Sequence, residues 1–222
     1  MLAYHFLEKK WALEDIRRRR LRISNLEFLN DPFEFMSFAL TDHSMRRRVN
    51  ETKRALAKSF GLVCFSKRWS NPVLWSHYAE RHAGICLGFD IPSETLKEIT
   101  YVVKRTTPKL LEIIDDANDD DENAEKVMQK LLYTKYHHWR YESEVRLFLS
   151  LDPQTVDQNG NYFAEFSDKL QLRQVIVGAV SDTTRTEVTE AVAGLTGVEA
   201  FKTRLAFASF SVVRNRNQHL WT

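Results

Sequence analysis

Glycine is scarce, seven in 222 residues, and none stands in a GxGxxG or GxxxxGK pattern. Neither the dinucleotide-binding turn nor the phosphate-cradling P-loop is therefore written into the chain. Cysteine is scarcer still: Cys64 and Cys86 sit inside apolar runs and without metal-ligand spacing. Two such thiols exclude a disulfide framework and suit a reduced compartment, so a cytoplasmic location is expected. No apolar run reaches the length of a membrane span, and the opening MLAYHFLEKKW is too short in apolar residues for a secretory signal. No membrane partner is expected. A dominant charge is also missing, since 32 basic and 30 acidic residues leave a formal charge of only +2, which does not describe a generic nucleic-acid coat. No internal repeat or low-complexity linker is visible.

Hydrophobic residues make up 43% of the chain, enough for a real core. LAYHFL reads as a first strand, EKKWALEDIRRRR as a short helix and LRIS as a second strand. NDPFE has the grammar of a helix start, with Asp31 as N-cap, Pro32 at the first helical position and Glu34 closing a capping box. GLVCFS and AGICLGFD, apolar on both faces, read as interior strands joined by a helix capped by Ser70 or Asn71, with Leu74, Trp75, Tyr78 and His82 at helical spacing. Two helices, PKLLEII and ENAEKVMQKLLYTKY, form a helical insertion at about 108–136 around the acidic run Asp115 to Glu125. Later come strands YFAEF and RQVIVGA, a helix opened by a Thr184/Glu187 capping box, and strands EAFKTRLAF and SFSVVRN. The irregular order predicts a single α+β domain, residues 1–222, with a mixed, largely antiparallel central sheet and flanking helices.

The segment WRYESEVRLFLS, Trp139 to Ser150, reads as one more strand. Alternation puts Glu142, Glu144 and Arg146 on one face and Tyr141, Val145, Leu147 and Leu149 on the other, with the two carboxylates ~7 Å apart. Such a row is either the solvated face of an edge strand or one wall of a cleft. His5 on the first strand, Ser66 at the end of a central one, and Trp75 and Tyr78 on the joining helix are polar or amphipathic groups next to buried strands. Each alone fits a satisfied core histidine, a turn cap or core packing; together they suggest a shared cleft.

The runs FLNDPFEF, CFSKRWSNPVLWSHYAERHAGICLGFD and YHHWRYESEVRLF, with YHFL before them, resemble the bacterial family catalogued as domain of unknown function 2971, over roughly Tyr4 to Phe148. More distantly, the order resembles the ADP-ribosyltransferase group. Those folds open on a strand whose His or Arg grips the nicotinamide ribose, carry a Ser or Tyr in the middle, and place a catalytic Glu, often Glu-x-Glu, on a late strand. The resemblance implies an NAD-consuming enzyme, a toxin or a phage-defence effector, with NAD as substrate, no metal, and protein, nucleic acid or water as acceptor. A regulatory partner protein would fit such a role. It makes Glu144 catalytic, Glu142 the acceptor-side carboxylate and His5 the ribose grip, with Ser66, Trp75, Tyr78 and Arg146 on the NAD-binding side. In place of a Ser-Thr-Ser triplet the chain has only Phe65-Ser66-Lys67.

Two other readings stand beside it. Arg17 to Arg20, Arg46 to Arg48 and Trp69 could serve a nucleic-acid binder, or a nuclease if Asp31, Glu34, Glu142 and Glu144 converge on magnesium. A recognition module without catalysis would make Glu142, Glu144 and Arg146 a surface ion-pair row of little energetic weight.

Overall fold

The computed structural model describes residues 1–107 and 121–222, without the side chains of 121–124. The expected helix PKLLEII and the acidic run as far as Asp120 lie outside those residues. Strand β1 (Leu2–Leu7) is followed by helix α1 (Lys9–Arg18), β2 (Arg20–Asn25), α2 (His43–Ser59), β3 (Phe60–Ser66), α3 (Pro72–Tyr78) and β4 (Ile85–Asp90). Short strands β5 (Leu96–Glu98) and β6 (Thr100–Val102) precede α4 (Asp121–Tyr133), β7 (Thr134–Tyr136) and β8 (Glu144–Ser150). The chain closes with β9 (Tyr162–Glu165), β10 (Gln171–Val177), α5 (Arg185–Ala191), β11 (Glu199–Leu205) and β12 (Val212–Arg214).

Ten of these strands form one sheet in the order β12-β11-β10-β4-β1-β3-β2-β9, with β8 on the other edge of β3 and β5 beyond β8. Its pairings are antiparallel apart from β10 with β11, so the α+β, largely antiparallel expectation holds. Alternation sorts the side chains into two faces. On one, Ala3, Val63, Phe65, Leu87, Val145 and Val175 bury against Ala12, Leu13 and Ile16 of α1 and Val188 and Ala191 of α5. On the other, Tyr4, Phe6, Cys86 and Ile176 pack under Leu74 and Trp75 of α3. At roughly 1.5–3 kcal/mol for each large apolar side chain removed from water, these two layers hold the sheet in place.

Local chemistry explains several boundaries. The Asn71 side chain accepts from the Val73 amide and Pro72 stands at the start of α3, as expected. The helix stops at Tyr78 rather than reaching His82, because Glu80, Arg81 and His82 take positive φ (48, 53 and 72°). The chain then passes Gly84, where a Cβ would sit 2.2 Å from the Leu7 carbonyl oxygen. The Thr184/Glu187 capping box forms as read.

Three further expectations fail. NDPFE makes no helix: the Asp31 carboxylate accepts the Phe33 amide at 2.9 Å, Phe35 turns to φ 67°, and Glu34 points inward at 3% exposure. Two buried cations claim the Glu34 carboxylate, and they outcompete a capping bond to one amide. The strand expected from Trp139 begins only at Glu144, since His137–Glu142 forms a 3₁₀ turn and Ser143 is left-handed (φ 46°). Helix α4 ends at Tyr133, and Thr134–Tyr136 pairs in parallel with β6 instead. An element absent from the sequence reading, α2, is capped by Asp42, whose side chain accepts from the Ser44 and Met45 amides. Arg46, Arg47 and Arg48 lie on its exposed surface.

Candidate functional site

Strand β3 has one full partner, β8, along one edge. Its other edge is shared: β1 touches it only at the Tyr4–Ser66 pair, and β2 only at Leu62 and Gly61. Between these contacts the sheet opens. The Cys64 carbonyl lies in the gap and accepts the His5 Nδ1–H at 2.7 Å. A carbonyl can only accept, so His5 carries its proton on Nδ1 and keeps a lone pair on Nε2. Burial lowers the His5 pKa more than the bond to Cys64 raises it, which leaves the ring neutral. His5 also tilts against Phe65 at 5.7 Å between ring centroids.

A cavity of about 110 Å³ occupies this opening, lined by Tyr4, His5, Phe6, Asn30, Cys64, Ser66, Tyr78, Lys135, Glu142 and Glu144 among others. Register explains the clustering, because Tyr4 pairs with Ser66 and Ser66 with Glu144, a row on the α3 side of three neighbouring strands. Glu142 is not on the strand with Glu144. The left-handed Ser143 joins them, and the turn brings both carboxylates to a single ammonium.

That ammonium is Lys135. Its Nζ lies 2.7 Å from Glu142, 3.1 Å from Glu144 and 3.2 Å from Glu34. Arg146 completes the cluster, with Nε 2.6 Å from Glu144, Nη2 2.7 Å from Glu34 and Nη1 donating to the Leu132 carbonyl at 2.9 Å. All five side chains are at most 7% exposed, so the row is not a surface ion-pair row. Three carboxylates face two cations, which leaves one negative charge in excess, and Glu34 Oε2 is buried without a hydrogen-bond partner. The nuclease reading asked whether Asp31, Glu34, Glu142 and Glu144 converge. The last three do, on Lys135, while Asp31 stays at its turn.

The two site carboxylates differ in proton affinity. Burial would raise Glu144, but Arg146 and then Lys135 outweigh it and hold the group at about 2. For Glu142 burial outweighs the opposing pull of Lys135 and the Tyr78 hydroxyl, and its pKa is raised. Lys135 and Arg146 are kept charged: burial disfavours their charge, and the surrounding glutamates more than restore it. Tyr78 donates to Glu142 Oε1 at 2.5 Å and accepts from Asn30 at 2.6 Å. Its phenol is pushed up by burial and then by the Glu142 charge. Tyr101, raised to about 12 mainly by burial, accepts the Glu144 amide at 2.8 Å. The Ser66 hydroxyl donates to the Glu142 carbonyl at 2.6 Å.

The structure thus gathers His5, Ser66, Tyr78, Glu142 and Glu144 around one cavity. Trp75 lies elsewhere. It is fully buried, donates to the Trp69 carbonyl at 2.6 Å and meets Phe6 edge-on, so it is core rather than a stacking surface for a ligand. Arg146, 1% exposed, stands behind Glu144 and does not line the cavity. Sequence reasoning missed Lys135, Asn30 and Tyr4, and gave Glu34 a capping role. Lys135 sits in YTKYHH, a stretch with no local signal of a buried cation, and its partners come from separate elements.

Residues 74–147, which span most of α3, all of β4, Lys135 and both site glutamates, match the model of the family described as "Protein of unknown function (DUF2971)". No curated protein and no solved structure matches the chain.

Proposed function

We propose that this protein of the DUF2971 family is an NAD-consuming enzyme of the ADP-ribosyltransferase type, with the opening between β1 and β3 as its reaction site. The observation that carries the reading is the placement of His5, Ser66 and Glu144 on three adjacent strands around one cavity, with Glu142 one turn away. The cavity, at about 110 Å³, is smaller than the usual ~300–1,000 Å³ of a ligand pocket. It takes the nicotinamide ring and the ribose edge that meets His5 and Glu144, and leaves the phosphates and the adenosine of NAD outside.

The excess negative charge suits a positively charged nicotinamide ring and the cation that forms from it. When the bond from the ribose C1′ to the ring nitrogen breaks, its electron pair leaves with nicotinamide and the ribose becomes oxocarbenium-like. Glu144, ionised at any physiological pH, faces that charge as the carboxylates of glycosidases do. The lone pair on His5 Nε2 accepts from a ribose hydroxyl. An acceptor then bonds to C1′ and gives its proton to Glu142, whose raised affinity suits it as a general base. The test is release of nicotinamide from NAD by the full chain, with and without cell extract as a source of acceptor. Release that disappears in Glu144→Gln supports the reading; absence of release from folded wild-type protein under both conditions overturns it.

A further inference from the structure

A second cavity, of about 290 Å³, lies on another side of Lys135 and is lined by Phe33, Met36, Ser37, Val102, Val103, Lys104, Arg105, Thr134 and Tyr136. Its chemistry is the reverse of the first. The first is walled by two carboxylates. Among the described residues that line the second there is no carboxylate, and its charged members besides Lys135 are Lys104 and Arg105, both exposed. Lys135 belongs to the wall of each cavity, and its ammonium is already held by three glutamates, so Lys104 and Arg105 are the cations open to a ligand.

The rest of the lining is apolar and aromatic. Phe33 is 57% and Tyr136 45% exposed, high for rings in a loop and a short strand, and the Arg105 guanidinium lies over the Phe33 ring at 5.2 Å. Ser37, 6% exposed, has a buried hydroxyl with no hydrogen-bond partner. A buried hydroxyl left unpaired costs free energy that a ligand oxygen or amino group would recover. The volume is close to the lower bound for a small-molecule site, roughly 300 Å³. Phe38 bridges to Thr106, and the Thr106 amide donates to the Ser37 carbonyl at 2.8 Å, which ties the two segments of the wall together.

We infer that this second cavity binds a phosphorylated nucleoside of mononucleotide size, the base against Phe33 and Tyr136 and the phosphate on Lys104 and Arg105. An aromatic body asks for the rings, and an anion asks for a rim of cations without carboxylates. The inference does not rest on NAD being the substrate of the first cavity. The ligand is either a free mononucleotide or the same group carried within a dinucleotide, and one titration separates the two sources.

The experiment is calorimetric titration of AMP into the full chain, repeated with adenosine and with the variants Lys104→Ala/Arg105→Ala and Ser37→Ala. Lys104 and Arg105 are exposed, so the double variant is expected to fold, which its thermal melt checks. AMP is expected to bind in a salt-sensitive manner. Adenosine should bind at least tenfold more weakly, the double variant should lose at least tenfold in AMP affinity, and Ser37→Ala severalfold. NAD that displaces AMP assigns the cavity to a dinucleotide's AMP moiety; NAD that leaves AMP bound assigns it to a free mononucleotide. No AMP binding at millimolar concentration, equal binding of adenosine, or an unchanged double variant overturns the inference. Because nicotinamide release is read separately, failure here and failure of the NAD reading are distinguishable.

Discussion

Lys135 holds together carboxylates that the chain supplies from a turn, a 3₁₀ segment and a strand. A cluster of this kind stabilises only as a complete set, since removal of one partner leaves the others charged and dry. Arg146→Met is therefore expected to lower stability by about 3–5 kcal/mol in urea unfolding, and a loss below about 1 kcal/mol would show that the cluster is soft or hydrated. The pH dependence has a sign as well. The Glu144 pKa of about 2 in the folded state lies below the ~4.3 of a free glutamate. Its contribution is present above that value and is lost as pH falls towards about 2. Asp15, on the opposite face, behaves in the reverse way. Burial raises it to about 7, with Arg20 and Arg18 opposing and Glu14 assisting. Its contribution is full below ~4 and is lost as pH rises through about 7. Asp15→Asn should therefore flatten the fall in urea midpoint between pH 4 and 8 relative to wild type; parallel curves would refute the assignment. At this scale the alternation in YESEVRL correctly put Glu144 and Arg146 on one face of β8, whereas Glu142 reaches the same cluster through the turn at Ser143 and not by alternation. Glu34 was misread because its local role as a cap is visible in sequence, whereas its cations, Lys135 and Arg146, are more than a hundred residues away.

Among the elements, the short join between the 3₁₀ turn His137–Glu142 and β8 matters most. A continuous strand from Trp139 would have put Glu142 and Glu144 two positions apart on a flat face. The left-handed Ser143 bends the chain so that both reach Lys135, and Lys67 fixes the bend by donating its amide to the Ser143 carbonyl at 3.0 Å. Ser143→Gly should be nearly neutral in thermal melts, while Ser143→Val should cost about 1–2 kcal/mol for a β-branched residue forced left-handed. Equal effects of the two would mean that this backbone angle is not required. The strands were legible because their apolar alternation is a local property, and so was the Thr184/Glu187 box. The opening between β1 and β3 was not legible: it depends on both β1 and β2 claiming the same edge of β3, a matter of long-range pairing that no window of sequence contains. Helix α2 went unread although Asp42 is a good cap, because a basic surface run dominates its sequence and only Val49 and Ala57 are buried along it.

For the molecule as a whole, near-neutral net charge hides a local division. A carboxylate-walled cavity and a cation-rimmed one meet at Lys135, and no helix of the described residues is long and apolar enough to cross a membrane. The central claim is that the first cavity is a reactive wall, more than an ion cluster that holds the fold. Glu142→Gln separates the two roles more cleanly than any change at Glu144. It removes the excess negative charge, leaves two carboxylates against two cations, and keeps an oxygen for Lys135 or Tyr78. The measurement is nicotinamide release from NAD by wild-type and Glu142→Gln protein, each with its unfolding free energy. The account predicts a loss of no more than about 1 kcal/mol in stability, with release lower by about 100-fold or more, as expected for a missing general base. Release that is unchanged, or that falls only in proportion to lost folded protein, would contradict it and return the cluster to a purely structural role.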